Sequence, residues 1–205
     1  MIKLFVFDLG NVILPFEHRQ IAHKLYEVSR VAGRFSPDEI FRYMFDMEKG
    51  LVNPYEEGLM SSHDFFMRLK ERYKLEIDFE EFKDIWNPIF REDPEVNEII
   101  FYLKNKGYPL FLLSNTNELH FTYITELYPI VHSMDEWILS FEIGAKKPKQ
   151  RIYDEIFNRT DVERNEVLYI DDIGRYVEAA RGFGLQAMVF KGAGDLWKVI
   201  KENLI

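Results

Sequence analysis

The sequence predicts an α/β protein: a parallel β-sheet clothed in helices, interrupted after its first strand by a helical insert. Three observations carry this expectation. A short apolar strand, Ile2–Phe7, opens the chain. A helix-rich stretch follows, from about Pro15 to Phe90. Beyond it, short apolar runs alternate with helix-like segments, the pattern of strands buried on both faces. The first strand and the later β/α units are expected to form one core, residues 1–14 and 91–205. Residues 15–90 would then form a separate body of about four helices.

The helical stretch carries its own start signals. Ser36-Pro37-Asp38-Glu39 has the spacing of a capping box with proline at the first helical position, and Asp78-Phe79-Glu80-Glu81 repeats the logic. Ser61 or Ser62 can cap the segment around Phe65, Phe66 and Leu69, whose spacing is helical. The punctuated stretch 47–62 reads as a connecting loop able to face a site. Asp93-Pro94 opens a further helix that ends at Gly107. The remaining strands are expected at 109–114, 137–141, 166–171 and 185–190.

Composition narrows the function. The chain has 205 residues, 47% of them hydrophobic and 16% aromatic, enough for a substantial core. Its 26 Lys and Arg against 35 Asp and Glu give a net charge of −9. That balance argues against a duplex nucleic-acid partner, which needs a basic face. A small phosphorylated partner remains compatible, because a local cation can reverse a mildly acidic surface. Cysteine is absent, which removes thiol nucleophiles and thiolate metal sites. No run reaches the ~18 uninterrupted apolar residues of a membrane span, and no signal peptide is evident. A cytoplasmic monomer or homodimer without a membrane partner is the expectation.

In parallel sheets, chemistry collects at the carboxyl ends of the strands. Four polar clusters fall there: Asp8, Ser114-Asn115, Lys146-Lys147 and Asp171-Asp172. Each has an ordinary reading as a turn, a cap or a solvated loop. The paired acids are the hardest to dismiss, since a carboxylate beside a buried strand needs a cation or a lysine. Together the four make a kit for phosphoryl chemistry. Carboxylates can hold a hard divalent ion, one can act as a nucleophile, and hydroxyl, amide and lysine donors can stabilise the transferring oxygens.

On the segments FDLGNVI (7–13), LLSNTNELH (112–120), GAKKPKQRIY (144–153) and YIDD (169–172), the chain resembles the haloacid-dehalogenase-like hydrolases. It is similar in particular to their bacterial sugar-phosphatase branch acting on α-D-glucose 1-phosphate. The resemblance implies a Rossmann-like core with a small helical cap. It also implies Mg²⁺-dependent hydrolysis of a small phosphorylated metabolite through an aspartyl-phosphate. Asp8 would be the nucleophile and a metal ligand, and Gly10 would lend its main-chain carbonyl to the metal. Asp171 and Asp172 would complete the metal site, while Ser114, Asn115 and Lys147 would hold the phosphate.

The chain departs from the common form of that family at Gly10, where an acid usually protonates the leaving oxygen and then activates water. General acid–base help contributes about 10²–10⁴-fold. Two expectations follow: Asn11, His18 or His120 supplies the missing function, or the substrate has a good leaving group. Tyr176 stands where the family often has Asn, and Lys149 where an acid is common. A metal-free dehalogenase would not need the Asp171-Asp172 pair. A phosphonate hydrolase would need a marked cap lysine, and nothing distinguishes Lys24 or Lys49. The alternative class is a non-catalytic or weakly active binding or regulatory protein on the same fold, motivated by Gly10.

Overall fold

A computed structural model of the chain describes residues 1–203. Five parallel strands form one sheet: β1 (Leu4–Phe7), β2 (Leu110–Ser114), β3 (Glu136–Leu139), β4 (Val167–Asp171) and β5 (Gln186–Val189). Their order is β3-β2-β1-β4-β5, so the first strand lies at the centre. Chain progression runs outward from β1 through β2 to β3, then returns to the other side of β1 with β4. The crevice at such a reversal is where α/β sheets present ligands. Phe7 aligns with Leu112 on one side and Ile170 on the other. This register brings Asp8, Ser114 and Asp171 to one edge. Strands β1, β2 and β4 are buried at every position, so sheet polarity is confined to those ends.

Between β1 and β2 lie α1 (Arg19–Glu27), α2 (Pro37–Phe45), α3 (Val52–Glu56), α4 (Ser62–Tyr73), α5 (Phe79–Trp86) and α6 (Pro94–Asn105). Both expected capping boxes form, at Ser36/Glu39 and Asp78/Glu81, and Ser61 caps α4. Sequence punctuation had marked 47–62 as a loop with about four helices around it. The structure adds α3 within that stretch. Pro54 does not break it, because the proline sits in the first turn, where an N–H has no helical partner anyway. The first five helices bury their own apolar cluster, centred on Phe65, Tyr73, Phe82 and Trp86, apart from the two clusters that flank the sheet.

The rest of the chain packs α7 (Glu118–Leu127), α8 (Ser140–Ile143), α9 (Gln150–Phe157), α10 (Gly174–Gly182) and α11 (Ala193–Asn203) against the sheet. The strand expected at 137–141 stops at Leu139. There Ser140 turns inward and its hydroxyl exchanges hydrogen bonds with the Thr116 main chain, at 3.0 and 3.1 Å. No helix among the described residues is long and apolar enough to cross a membrane.

Candidate active site

Lys147 organises the strand edge. Its side chain is 1% exposed, and its ammonium lies 2.8 Å from Asp8 Oδ1 and 2.7 Å from Asp171 Oδ2. The third proton goes to the Leu113 carbonyl at 3.2 Å. All three ammonium donors are therefore used, which fixes the geometry of both carboxylates. Burial alone would weaken the lysine's charge, but the two carboxylates outweigh it and hold the pKa above its ordinary value.

The neighbouring groups hold the lysine in turn. Asn115 Oδ1 accepts from the Lys147 backbone N–H at 2.7 Å, and Asn115 Nδ2 donates to the Lys147 carbonyl at 3.2 Å. The same amide donates to the Tyr176 hydroxyl at 3.3 Å, and the Tyr176 ring lies 5.2 Å below the ammonium. Tyr176 thus closes the clamp from the position where sequence comparison anticipated Asn. The Asn115 side chain is spent on this clamp rather than directed into open space. Ser114, by contrast, is buried at the cavity wall and its hydroxyl makes no hydrogen bond among the described residues.

Asp171 is fully buried and accepts from the Ile173 N–H at 2.7 Å and from the Tyr169 hydroxyl. Asp172 is held by the side chain of Asn11, whose own oxygen accepts from the Phe16 N–H at 3.2 Å. Asn11 has a φ of 56°, a left-handed conformation that asparagine tolerates better than most residues. One oxygen each from Asp8, Asp171 and Asp172 falls within 4.8 Å of the others.

This donor set fits a hard divalent cation. Burial pushes the Asp8 carboxyl up to about 8, against the pull of Lys147, with repulsion from Asp171 and Asp172 added. Burial and Asp171 likewise raise Asp172. Three clustered carboxylates against one lysine leave negative charge unbalanced, and all-oxygen ligands suit Mg²⁺. Gly10 lies on the same wall, its backbone bridged to Leu14.

The cavity before this edge measures about 240 Å³. Its opposite wall is aromatic. The planes of His18 and Phe45 stack at 4.3 Å and 15°, those of Phe45 and Trp86 at 5.9 Å and 6°, and those of Trp86 and His120 at 4.7 Å and 10°. Sequence reasoning missed Phe45, Trp86 and Asn117 here, because nothing local marks them. Asn117 caps α7 through the His120 N–H, and its oxygen also accepts from the Trp86 indole at 3.4 Å.

Of the groups expected to replace an acid at position 10, His120 is fully engaged. The Trp86 carbonyl can only accept, so His120 Nε2 donates to it at 3.0 Å, and Nδ1 faces the Asn117 amide at 3.1 Å. Burial lowers its pKa to about 4, leaving it neutral. The space beyond Gly10 is also taken: a Cβ there would lie 2.4 Å from the Phe16 ring.

Comparison with known proteins agrees with this architecture. Residues 2–184 match the family of haloacid dehalogenase-like hydrolases. D-ribitol-5-phosphate phosphatase of Bacteroides thetaiotaomicron is 26% identical over 205 residues, covering 97% of this chain and 96% of that protein. A Bacteroides thetaiotaomicron enzyme of the same family, crystallised as an alanine variant with magnesium and inorganic phosphate, superposes with a TM-score of 0.82. It shares 19% identity over 93% of this chain and 95% of its own. A predicted HAD-like family hydrolase from Porphyromonas gingivalis gives a TM-score of 0.79 at 24% identity, covering 100% of this chain and 98% of that one.

Proposed function

Since the chain belongs to the haloacid dehalogenase-like hydrolase family, we propose that it is a Mg²⁺-dependent phosphatase of small phosphorylated metabolites, with a sugar or sugar-alcohol phosphate as substrate. The observation that carries the reading is the buried Asp8–Lys147–Asp171 arrangement, at 2.8 and 2.7 Å, opening on a cavity that also holds Asp172 and the unengaged Ser114 hydroxyl. The ribitol-phosphate activity of the curated relative supports the substrate class.

In this reading Asp8, Asp171, Asp172 and the Gly10 carbonyl hold the metal, which supplies charge neutralisation for the phosphate oxygens. The Asp8 oxygen away from Lys147 attacks phosphorus as the ester oxygen departs, giving a phosphorylated Asp8. Lys147 keeps Asp8 aimed and offsets charge on the transferring group. Ser114 donates to a phosphate oxygen. Asn115 serves the phosphate indirectly, by fixing the main chain at Lys147. The aromatic wall receives the remainder of the substrate, whose C–H faces pack on the rings.

The test is a panel of phosphorylated metabolites with Mg²⁺, wild type against Asp8→Asn. The expected result is phosphate release on at least one sugar or polyol phosphate that drops by about 10⁴-fold or more in the variant, the scale seen when a nucleophile is removed. A panel with no Asp8-dependent release would return the chain to the non-catalytic binding reading.

A further inference from the structure

With glycine at position 10 and Phe16 filling the space beyond it, the proton chemistry of the reaction needs another group. The cavity wall offers one unused candidate. His18 lies on the same cavity as Asp8 and Gly10, on the segment that leads into α1. It occupies the N-cap position of that helix, yet its side chain makes no capping bond. Among the described residues, its ring nitrogens have no hydrogen-bond partner. The ring is nonetheless held in place, with Phe16 and Phe45 each 4.3 Å away between centroids. Phe16 is the residue whose ring fills the space where a side chain at position 10 would enter. His18 is therefore one ring further along the same wall.

The Ser114 hydroxyl is left for the phosphate, and the neighbouring groups that could be asked to handle a proton are committed. Glu56 pairs with Lys146 at 2.9 Å. Asn11 holds Asp172 and the Phe16 N–H. His120 has both nitrogens engaged. An amide is no base, and the Glu56 carboxylate is occupied by its lysine. From this geometry we infer that His18 is the base that activates water for hydrolysis of the phosphorylated Asp8, an inference that rests on the phosphatase reading above. Burial and the neighbouring His120 lower the His18 pKa to about 3, so at neutral pH the ring is uncharged. A ring so depressed is a weak base by itself, and the negative charge that phosphorylation places in the cavity is what raises its proton affinity for the hydrolysis step.

The step balances without further reagents. The water oxygen forms a bond to phosphorus as the bond from phosphorus to the Asp8 oxygen breaks, and the electron pair of that bond stays on the Asp8 carboxylate. One water proton passes to a His18 nitrogen and from there to solvent. The departing ester oxygen of the first half-reaction takes its proton from solvent. His18 would thus replace only the second of the two duties that an acid at position 10 performs.

Separating the two half-reactions tests this. The full-length chain with Mg²⁺ and p-nitrophenyl phosphate is followed by stopped flow. In His18→Gln, phosphorylation of Asp8 should proceed while hydrolysis stalls. The expected trace is a burst of about one p-nitrophenolate per site, then a steady rate lowered by about 10²-fold. In His18→Ala, added imidazole should quicken the steady phase and leave the burst unchanged. Turnover within about threefold of wild type in both variants overturns the inference. So does a loss in which burst and steady phases slow together and imidazole restores neither, since that is the mark of a purely structural role. Asp8→Asn should abolish both phases. Release that persists in Asp8→Asn overturns the Asp8 reading itself, and with it this one, whereas a failed His18 pattern with intact Asp8 dependence removes only the base assignment.

Discussion

At the sheet edge, the cavity is backed by charges that depend on one another: Asp8 and Asp171 both lean on Lys147, with every ammonium proton placed. Across from it, α1, α2 and α5 and their flanks present His18, Phe45 and Trp86, rings without net charge. The first wall is all-or-none. Withdrawing one member strands a charge away from water, and low dielectric makes that expensive. The second wall is graded, because apolar contacts are lost in proportion to volume. One fold can therefore keep a fixed reaction at the strand ends while varying what it accepts through an insert. That division fits the rule that function resides in sites grafted on folds.

The contrast can be broken most severely at Lys147. Lys147→Met leaves Asp8 and Asp171 buried and unpaired, so stability should fall by about 3–5 kcal/mol in denaturant titration. Turnover with Mg²⁺ should fall by about 10²–10³-fold. Loss of activity with stability unchanged would mean that the charges are not mutually dependent.

A milder intrusion is Gly10→Asp. Its Cβ meets Phe16 at 2.4 Å, and overpacking of this kind costs about 1–3 kcal/mol. The double change Gly10→Asp/Phe16→Ala should recover part of that cost, with a coupling of at least about 1 kcal/mol in a double-mutant cycle. Additive effects would remove Phe16 as the obstacle.

The neutral wall is sharpened by pH. His120 is buried with its pKa lowered to about 4. A depressed histidine means the native state binds fewer protons than the unfolded chain below pH 6.5. Stability from keeping it neutral is thus complete above 6.5 and is lost as pH falls toward 4. Between pH 7 and 5 the loss from this residue is about 2 kcal/mol. His120→Asn should be less stable at pH 7 but show a flatter decline over that range.

The smallest effect should come from Glu56→Gln. This removes a pair with Lys146 whose side chains are 17% and 15% exposed, and partly screened pairs contribute under about 1 kcal/mol.

The sheet and the polar edge were legible because their signals are local. An apolar run ending in Asp8 or Asp171 announces both a buried strand and the polar edge where it stops, and capping boxes at Ser36 and Asp78 announce helices. The aromatic wall was not legible. Trp86 meets His120 from 34 positions away, and Asn117 from 31. Such contacts follow from how the insert rests on the sheet, which no spacing within either part encodes. Phe16 illustrates the same limit at short range. The sequence shows glycine where an acid is common, but only the fold reveals that the vacated space has been taken by a ring six residues downstream. Likewise, α3 was hidden because Pro54 and two flanking glycines read as loop punctuation until their places in the turn are known.

Trp86 carries one more consequence. It rests on His120 at 4.7 Å and donates its indole N–H to Asn117, both residues of the chain that follows β2, while it belongs to the helical segment. The other two indoles, Trp137 and Trp197, pack beside the sheet against Phe121 and Tyr102. Any lifting of the helices strips Trp86 alone of its imidazole neighbour and its hydrogen bond. The protein therefore contains a built-in optical gauge: its intrinsic emission reads the separation of insert and sheet without a label.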